Sequence, residues 1–249
     1  IGVIPARFAS SRFPGKPLTA IYGKTMIQRV FEQAKKSASL QRVVVATDDQ
    51  RIYDHVRHFG GDAVMTSPLH KSGTDRCMEA VRILQDAPGN PLIPDIVINI
   101  QGDEPFLEPS QIDQVAALFN RPEVMIATLA KRITRTEELD NPNVVKVVFN
   151  NLDKVLTFSR TAIPYQRNAP RQDWISRHAY YKHIGIYGYR LEVLRRIASL
   201  PVSRLETAEA LEQLRWLENG YDIYLDITEN ESIAIDTPED LLKLSNRPQ

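Results

Sequence analysis

The sequence has little cysteine, no long apolar run and no net charge. Its 249 residues include a single cysteine, Cys77, which excludes an intramolecular disulfide and is typical of a reducing compartment. No apolar run approaches the roughly 20 residues that span a membrane, and no signal peptide is visible, so we predict a cytoplasmic location. Lys plus Arg and Asp plus Glu each total 31, so no bulk charge attracts nucleic acid or a membrane surface.

Internal repeats and low-complexity linkers are also lacking, so we predict one domain over residues 1–249, long enough to bury a sizeable core. In its first part, apolar strands alternate with amphipathic helices. Strands are predicted at residues 1–4, 42–48, 63–65 and 95–100, and helices at 26–36, 50–59 and 75–84. This alternation predicts the α/β class, with a mostly parallel sheet covered by helices on both faces.

Beyond residue 122 strands follow one another without full helices between them. Strands are predicted at 124–132, 144–149, 155–158, 180–189 and 221–227, a polar loop at 164–176, and helices at 191–199, 206–219 and 238–244. We therefore predict a β-rich arm, at about 150–190, inserted into the core domain.

The loop after the first strand carries three permanent cations, Arg7, Arg12 and Lys16, beside hydroxyl groups and Gly15. Cations and free backbone N–H groups at this place in an α/β chain can bind an anion, and we expect a nucleotide phosphate. The alternative is a solvated basic loop, but three prolines stiffen the segment and lower the entropy lost on binding. It is not a Walker P-loop, because Pro17 follows Gly15-Lys16 in place of Ser or Thr.

Two aspartates follow apolar segments, and the carboxyl ends of parallel strands are where ligands bind. Asp103 lies in the turn Gln101-Gly102-Asp103-Glu104-Pro105 and suits metal or phosphate chemistry, although it could instead cap the next helix. Asp236, after a predicted strand at 233–235, could equally begin an ordinary helix. If both strands belong to one sheet, the two carboxylates can share a Mg²⁺ ion.

A further loop contains Ser72, Gly73, Thr74 and Arg76. Taken alone it is an ordinary helix cap. Gly73 would also allow a base or a ribose to approach the backbone closely.

The motifs together resemble the 3-deoxy-manno-octulosonate cytidylyltransferases, a family of the sugar-nucleotidyltransferase superfamily. The likeness runs along the whole chain in order, through residues 5–7, 11–18, 45–48, 72–76, 101–105, 158–160, 183–189, 211–215 and 236–238. It implies the Rossmann-like three-layer nucleotidyltransferase fold.

The resemblance also implies a reaction: transfer of CMP from CTP to the anomeric hydroxyl of 3-deoxy-manno-octulosonate (Kdo), with Mg²⁺, giving CMP-Kdo and pyrophosphate for lipopolysaccharide biosynthesis. It implies a homodimer built partly from the arm, with no nucleic acid or membrane as partner. Two alternatives stay open. One is a cytidylyltransferase for another acidic sugar, such as a sialic acid; the other is a nucleotide-binding module without turnover.

The resemblance assigns residues to three groups. The triphosphate would be held by Arg7, Arg12 and Lys16, and Mg²⁺ by Asp103 and Asp236, so that Lys16, Asp103 and Asp236 are the expected catalytic residues. The nucleoside would face Ser72, Gly73, Thr74, Arg76 and Gln101. The acidic sugar would contact Gln101, Arg160, His183, Tyr187, Glu212 and Gln213.

Taken singly, several of these residues have ordinary alternatives. Tyr187 alone is typical of a core residue, and Glu212-Gln213 of a solvated helix face. His183 could be a general base, but a hydroxyl activated by a metal needs none, so we expect it to contact the substrate.

Overall fold

The computed structural model describes residues 1–9, 13–88, 93–231 and 234–245. The chain divides into two compact units. The first unit comprises Ile1–Asp113 together with the segment from Ser232 onwards, and the second comprises Gln114–Glu231.

The elements are named in chain order. The first unit contains β1 (Gly2–Ala6), β2 (Ala20–Ile21), β3 (Lys24–Thr25), α1 (Met26–Ala34), β4 (Val43–Thr47), α2 (Gln50–His58), β5 (Asp62–Met65), α3 (Gly73–Gln85) and β6 (Ile96–Asn99). Then follow α4 (Pro109–Leu118), β7 (Ile126–Arg132), α5 (Thr136–Asp140), β8 (Lys146–Phe149), β9 (Val155–Ser159), α6 (Trp174–Arg177), β10 (Tyr181–Arg190), α7 (Leu191–Ile197), α8 (Arg204–Glu209), α9 (Gln213–Glu218), β11 (Ile223–Ile227) and α10 (Pro238–Ser245).

The sheet of the first unit has the order β6-β1-β4-β5, and its strands run parallel. All five residues of β4 are buried. A strand buried on both faces needs a layer of structure on each side, which explains why it reads as a continuous apolar run. The predicted α/β class is confirmed.

The helices of the first unit begin at side-chain caps. The Thr25 hydroxyl accepts a hydrogen bond from the Gln28 N–H at the start of α1, and Ser72 does the same for Asp75 in α3. Because Ser72 is the cap, α3 begins at Gly73, two residues before the predicted start. Each cap satisfies an N–H group that has no partner within the helix.

The second unit contains a mixed sheet in the order β11-β7-β10-β8-β9, in which only β11 and β7 run parallel. The register of β10 against β7 shifts between Ile184 and Tyr187. There the Thr128 hydroxyl lies 3.2 Å from the carbonyl oxygen of Ile184 and 2.8 Å from that of Ile186. This irregularity leaves Tyr187 opposite Thr128.

The segment 150–190, predicted as an inserted arm, contributes β9, α6 and β10 to this second unit. The second unit includes strands outside this segment, because β10 pairs with β7 and β7 pairs with β11. A role of the segment in dimerisation stays a prediction.

Residues 206–219 do not form the single helix that their periodicity predicts. They divide between α8 and α9, because Ala210 adopts a left-handed conformation with φ 50° and ψ 49°. Such a conformation is unfavourable for alanine and ends a helix. The predicted loop at 164–176 contains a 3₁₀ turn, Arg171–Asp173, and the first residues of α6. Within the described ranges, no helix has both the length and the apolar composition needed to cross a membrane.

A substitution at Gly188 in β10 would test how closely the second unit is packed. A Cβ atom at this position would lie 2.6 Å from Phe119 Cε2 and 2.8 Å from Val115 Cγ1. We expect Gly188→Ala to lower the free energy of unfolding in urea by about 1–3 kcal/mol, the usual scale of overpacking. The matched control is Gly73→Ala, whose Cβ would meet its nearest neighbour at 3.5 Å and should cause no loss. Equal stability of the two variants would contradict the packing argument.

Candidate active site

A cavity of about 260 Å³ opens in the first unit, where β1 and β6 end. It combines cations, carboxylates, an imidazole and backbone from three loops. The residues that line it are Pro5, Ala6, Arg7, Lys16, Pro17, His70, Lys71, Ser72, Gly73, Arg76, Gln101, Gly102, Asp103 and Asp236.

Lys16 lies between the two aspartates that the sequence singled out. Its ammonium donates hydrogen bonds to Asp103 Oδ2 at 2.8 Å and to Asp236 Oδ1 at 3.2 Å. The two carboxylate oxygens therefore lie no more than 6.0 Å apart, 2.8 Å plus 3.2 Å. Only 13% of the Lys16 side chain is exposed, so these ion pairs are screened less than pairs on an open surface.

Lys16 is positioned by the turn that precedes it. Gly15 has φ 73° and ψ 8°, a left-handed conformation that glycine adopts without strain. Its N–H donates to the Phe8 carbonyl at 3.0 Å, and Pro17 is buried at the start of the 3₁₀ turn Lys16–Leu18. The prolines and the glycine thus form a fixed turn under the lysine.

Asp103 is positioned by Gly102. A Cβ atom on Gly102 would lie 2.7 Å from the Pro5 carbonyl oxygen, closer than such atoms can approach. Only glycine therefore lets the turn after β6 pack against the end of β1 at this point, and that packing carries Asp103 to the cavity.

Asp236 is positioned by a backbone hydrogen bond. The Ile235 N–H donates to the Asp103 carbonyl at 3.0 Å. The predicted strand at 233–235 is not found: Ile233 lies outside the described residues, and Ala234 and Ile235 belong to no strand. The start of α10 is capped by Asp240, which accepts from the N–H groups of Asp236 and Thr237, and the Asp236 carboxylate reaches Lys16.

The two aspartates suit a magnesium ion together with a nucleotide. Magnesium in phosphoryl-transfer sites usually takes one or two carboxylates and completes its six ligands with phosphate oxygens and water. Two carboxylates that converge on one ammonium already surround a position for positive charge. Among the described residues no group of three or more His, Cys, Asp or Glu could hold a metal, so further ligands would have to come from the substrate.

Of the other residues predicted to bind the nucleotide, some line the cavity and others do not. Arg7, Ser72, Gly73 and Gln101 line the cavity together with Lys16. Thr74 is buried in α3 and is not among the lining residues, and Arg12 lies outside the described residues.

Arg76 lines the cavity, but its charge is used inside the protein. Its guanidinium donates to Asp48 Oδ2 at 2.8 Å and to the Thr66 hydroxyl at 2.6 Å, and the residue is 3% exposed. Arg76 therefore fixes the loop after β5 to the end of β4. Asp48, the last residue of the predicted strand at 42–48, is its partner.

His70 and Lys71 also line the cavity, and neither was predicted. Both precede Ser72, the cap of α3. A histidine or lysine just before a helix cap has no distinctive spacing, so nothing in the sequence alone would have selected them.

Three of the predicted sugar-binding residues, His183, Tyr187 and Glu212, lie close to one another in the second unit. The His183 and Tyr187 rings are 5.2 Å apart, and Tyr187 contacts Trp216 at 5.1 Å. Burial lowers the pKa of His183 to about 3, so this ring is neutral at physiological pH. Burial, and then the charge of Glu212, raises the pKa of Tyr187. Tyr187 is buried, as its alternative role in the core requires.

Gln213 does not lie on a solvated helix face, because it is 7% exposed at the start of α9. Arg160, the remaining sugar-binding candidate in this unit, donates to the backbone carbonyls of Glu209 at 2.6 Å, Pro142 at 3.0 Å and Ala210 at 3.2 Å. It thereby holds the break between α8 and α9, and with it the position of Gln213.

A family model described as cytidylyltransferase matches residues 1–227. The chain belongs to the cytidylyltransferase family. A relative from Bacteroides thetaiotaomicron, named 3-deoxy-manno-octulosonate cytidylyltransferase, is 55% identical over 245 residues, which cover 97% of this chain and 94% of that protein.

Two further similarities refine the position of this cytidylyltransferase in its family. A solved structure of CMP:2-keto-3-deoxy-manno-octonic acid synthetase in complex with CTP superposes with a TM-score of 0.88 at 42% identity, covering 98% of this chain and 95% of that one. A relative from Shewanella baltica is named 8-amino-3,8-dideoxy-manno-octulosonate cytidylyltransferase. It is 47% identical, with 98% of this chain and 96% of that protein covered.

The low pKa of His183 gives a direct test of its environment. We expect its C2 proton signal in NMR, assigned by its loss in His183→Gln, to stay constant from pH 8 to pH 5. In denaturant, where the ring is hydrated, the same histidine should titrate near roughly 6.5. A midpoint above pH 5 in the folded protein would show that the ring is not desolvated as the structure indicates.

Proposed function

We propose that this chain transfers CMP from CTP to the anomeric hydroxyl of Kdo, releasing pyrophosphate, in the biosynthesis of lipopolysaccharide. The observation that carries the proposal is the Lys16 ammonium held between Asp103 and Asp236 in a cavity that Arg7 also lines. The names of the relatives support CTP and Kdo as the substrates. Mg²⁺ as cofactor, a cytoplasmic location and a homodimer built partly from residues 150–190 complete the proposal.

The reaction displaces pyrophosphate at the α-phosphorus of CTP. The anomeric oxygen of the sugar forms the new P–O bond, the bond to the β-phosphate oxygen breaks, and the hydroxyl proton leaves to solvent. Negative charge spreads over the phosphoryl oxygens and onto the leaving pyrophosphate, so positioning and electrostatic stabilisation supply most of the catalysis.

The residues of the cavity match these needs. Arg7 and Lys16 would bind phosphate oxygens through charge-assisted hydrogen bonds. Asp103 and Asp236 would hold Mg²⁺, which supplies positive charge beside the phosphate when it is bound. The fixed turns at Gly15 and Gly102 keep these groups in place before the substrate arrives, so little entropy is lost on binding.

The sugar site is proposed on side chains of the second unit, among them His183, Tyr187 and Gln213. Kdo carries a carboxylate and several hydroxyls, which require donors and acceptors of fixed orientation. His183 is neutral, with its Nε2 3.1 Å from the Thr128 hydroxyl, so we assign it to substrate contact and not to general base catalysis. The general-base alternative would need a ring that binds a proton near neutral pH.

The test is pyrophosphate release from each of CTP, UTP, ATP and GTP with a panel of acidic sugars: Kdo, its 8-amino-3,8-dideoxy analogue and a sialic acid. We expect release to be fastest with CTP and Kdo. A preference for the amino sugar would favour the activity for which the Shewanella baltica relative is named. CTP binding without release on any sugar would instead identify a nucleotide-binding module.

The shared-ion proposal predicts the behaviour of the two aspartates. Asp103→Asn and Asp236→Asn should each lose most activity while staying folded, and a chelator should abolish turnover. Because residues that act as a unit are not additive, the double variant should be little slower than either single one. Rates that multiply across the two substitutions would show that the carboxylates act independently.

The proposed sugar site predicts a split between the two substrates. Gln213→Ala should raise the KM for Kdo far more than the KM for CTP, because a site built to pair polar groups is left with unmatched ones when a partner is lost. Arg160→Ala should do the same, because its hydrogen bonds to Glu209 and Ala210 hold the break before Gln213. Steady-state kinetics with each substrate varied in turn measures both constants. An equal rise in both would indicate a role in folding or assembly.

A further inference from the structure

His70 is a cavity residue that the proposed reaction leaves without a role. It lies two residues before Ser72 and lines the cavity with Lys71 and Gly73. Its side chain is 22% exposed, so the imidazole belongs to the wall of the site and still has a face open to a ligand.

The orientation of the His70 ring is fixed by a contact with Glu79 in α3. His70 Nε2 lies 2.5 Å from Glu79 Oε2, and the same oxygen accepts the backbone N–H of Ser67 at 2.6 Å. Burial raises the pKa of the Glu79 carboxyl, but the hydrogen bonds from Ser67 and His70 outweigh burial and hold that pKa below its ordinary value. Glu79 is therefore ionised at neutral pH.

The ionised carboxylate decides which ring nitrogen carries the proton. A carboxylate only accepts hydrogen bonds, so Nε2 of His70 must be the donor, and in the uncharged form of the ring the lone pair is then on Nδ1. No hydrogen bond to Nδ1 is made by any residue in the described part of the chain. The wall of the cavity thus holds an oriented acceptor.

We infer that His70 is a specificity-determining residue of the nucleotide site, whose Nδ1 accepts a hydrogen bond from a donor on the nucleoside. The inference rests on the proposed function, since it needs CTP in this cavity. The nucleoside offers three donor groups of this kind, the 2′ and 3′ hydroxyls of the ribose and the cytosine amino group. The ionised phosphates offer none, and Arg7 and Lys16 are the groups suited to them.

The experiment compares two amide variants that retain different halves of the imidazole. Asparagine can place its carbonyl oxygen near the position of Nδ1, whereas glutamine places its amide near Nε2. We expect His70→Asn to bind CTP within about twofold of the parent. His70→Gln and His70→Phe should bind it roughly three- to tenfold more weakly, the scale of one neutral hydrogen bond. Isothermal titration calorimetry on the full chain measures each dissociation constant.

Three further nucleotides identify the donor. If a ribose hydroxyl is the partner, the analogue that lacks it, 2′-deoxy-CTP or 3′-deoxy-CTP, should bind the parent and His70→Phe equally, while CTP discriminates between them. If the cytosine amino group is the partner, UTP should instead bind the parent and His70→Phe equally. His58→Asn is the matched control, because His58 is exposed on α2 and is not among the lining residues.

Two results would overturn the inference. One is parent-like CTP binding by His70→Phe; the other is an equal loss in the Asn, Gln and Phe variants for all four nucleotides, which would reduce His70 to a structural partner of Glu79. Failure of the parent itself to bind CTP would instead overturn the proposed function, so the two failures are distinguishable.

Discussion

The site of the first unit depends on the ammonium of Lys16, which forms ion pairs with two carboxylates from distant parts of the chain. Asp103 and Asp236 are 133 positions apart (236 − 103), and without a cation between them their charges would repel. Two glycines in the surrounding turns allow these side chains to come together. Gly15 turns the chain under Lys16, and Gly102 lets the Asp103 turn pack against the end of β1.

The charge balance of this centre suits a substrate that brings both charge and ligands. The ammonium of Lys16, shared by two carboxylates, leaves one negative charge uncompensated between them, while Arg7 and Lys71 add positive charge elsewhere on the cavity wall. The proposed divalent cation, entering with the nucleotide, would add positive charge here, and Lys16 would then be able to face phosphate oxygens. On this account nucleotide and metal bind together, and neither makes a strong site alone.

Much of the first unit could be predicted because local patterns and tertiary structure agree there. Continuous apolar strands such as β4 can only be buried on both faces, and Ser72 caps α3 where its side chain suggests. The prediction was wrong where contacts between residues far apart in sequence determine the secondary structure. The break at Ala210 comes in a segment held by Arg160 hydrogen bonds to Glu209 and Ala210, some fifty residues away in sequence. The apolar periodicity of residues 206–219 does not reveal those contacts.

The site was predictable to a similar degree. The positions of Lys16 and Asp103 follow from strand ends and turn chemistry, whereas Asp236 follows no strand. Its approach to Asp103 depends on a backbone hydrogen bond from Ile235 that no sequence pattern encodes. The role of His70 depends on Glu79, nine residues later, a spacing shared by countless unrelated pairs. Side chains that act through a partner are visible only once the fold brings them together.

The most direct test of the shared-ion centre is a crystal structure with CTP and Mn²⁺ in place of Mg²⁺, in which anomalous scattering locates the metal. We expect one ion with an oxygen of Asp103 and an oxygen of Asp236 each at roughly 2.1–2.2 Å, and Lys16 Nζ at about 2.8 Å from a phosphate oxygen. Carboxylates more than about 8 Å apart, too far to share an ion at such bond lengths, or a metal bound by only one of them, would contradict the account.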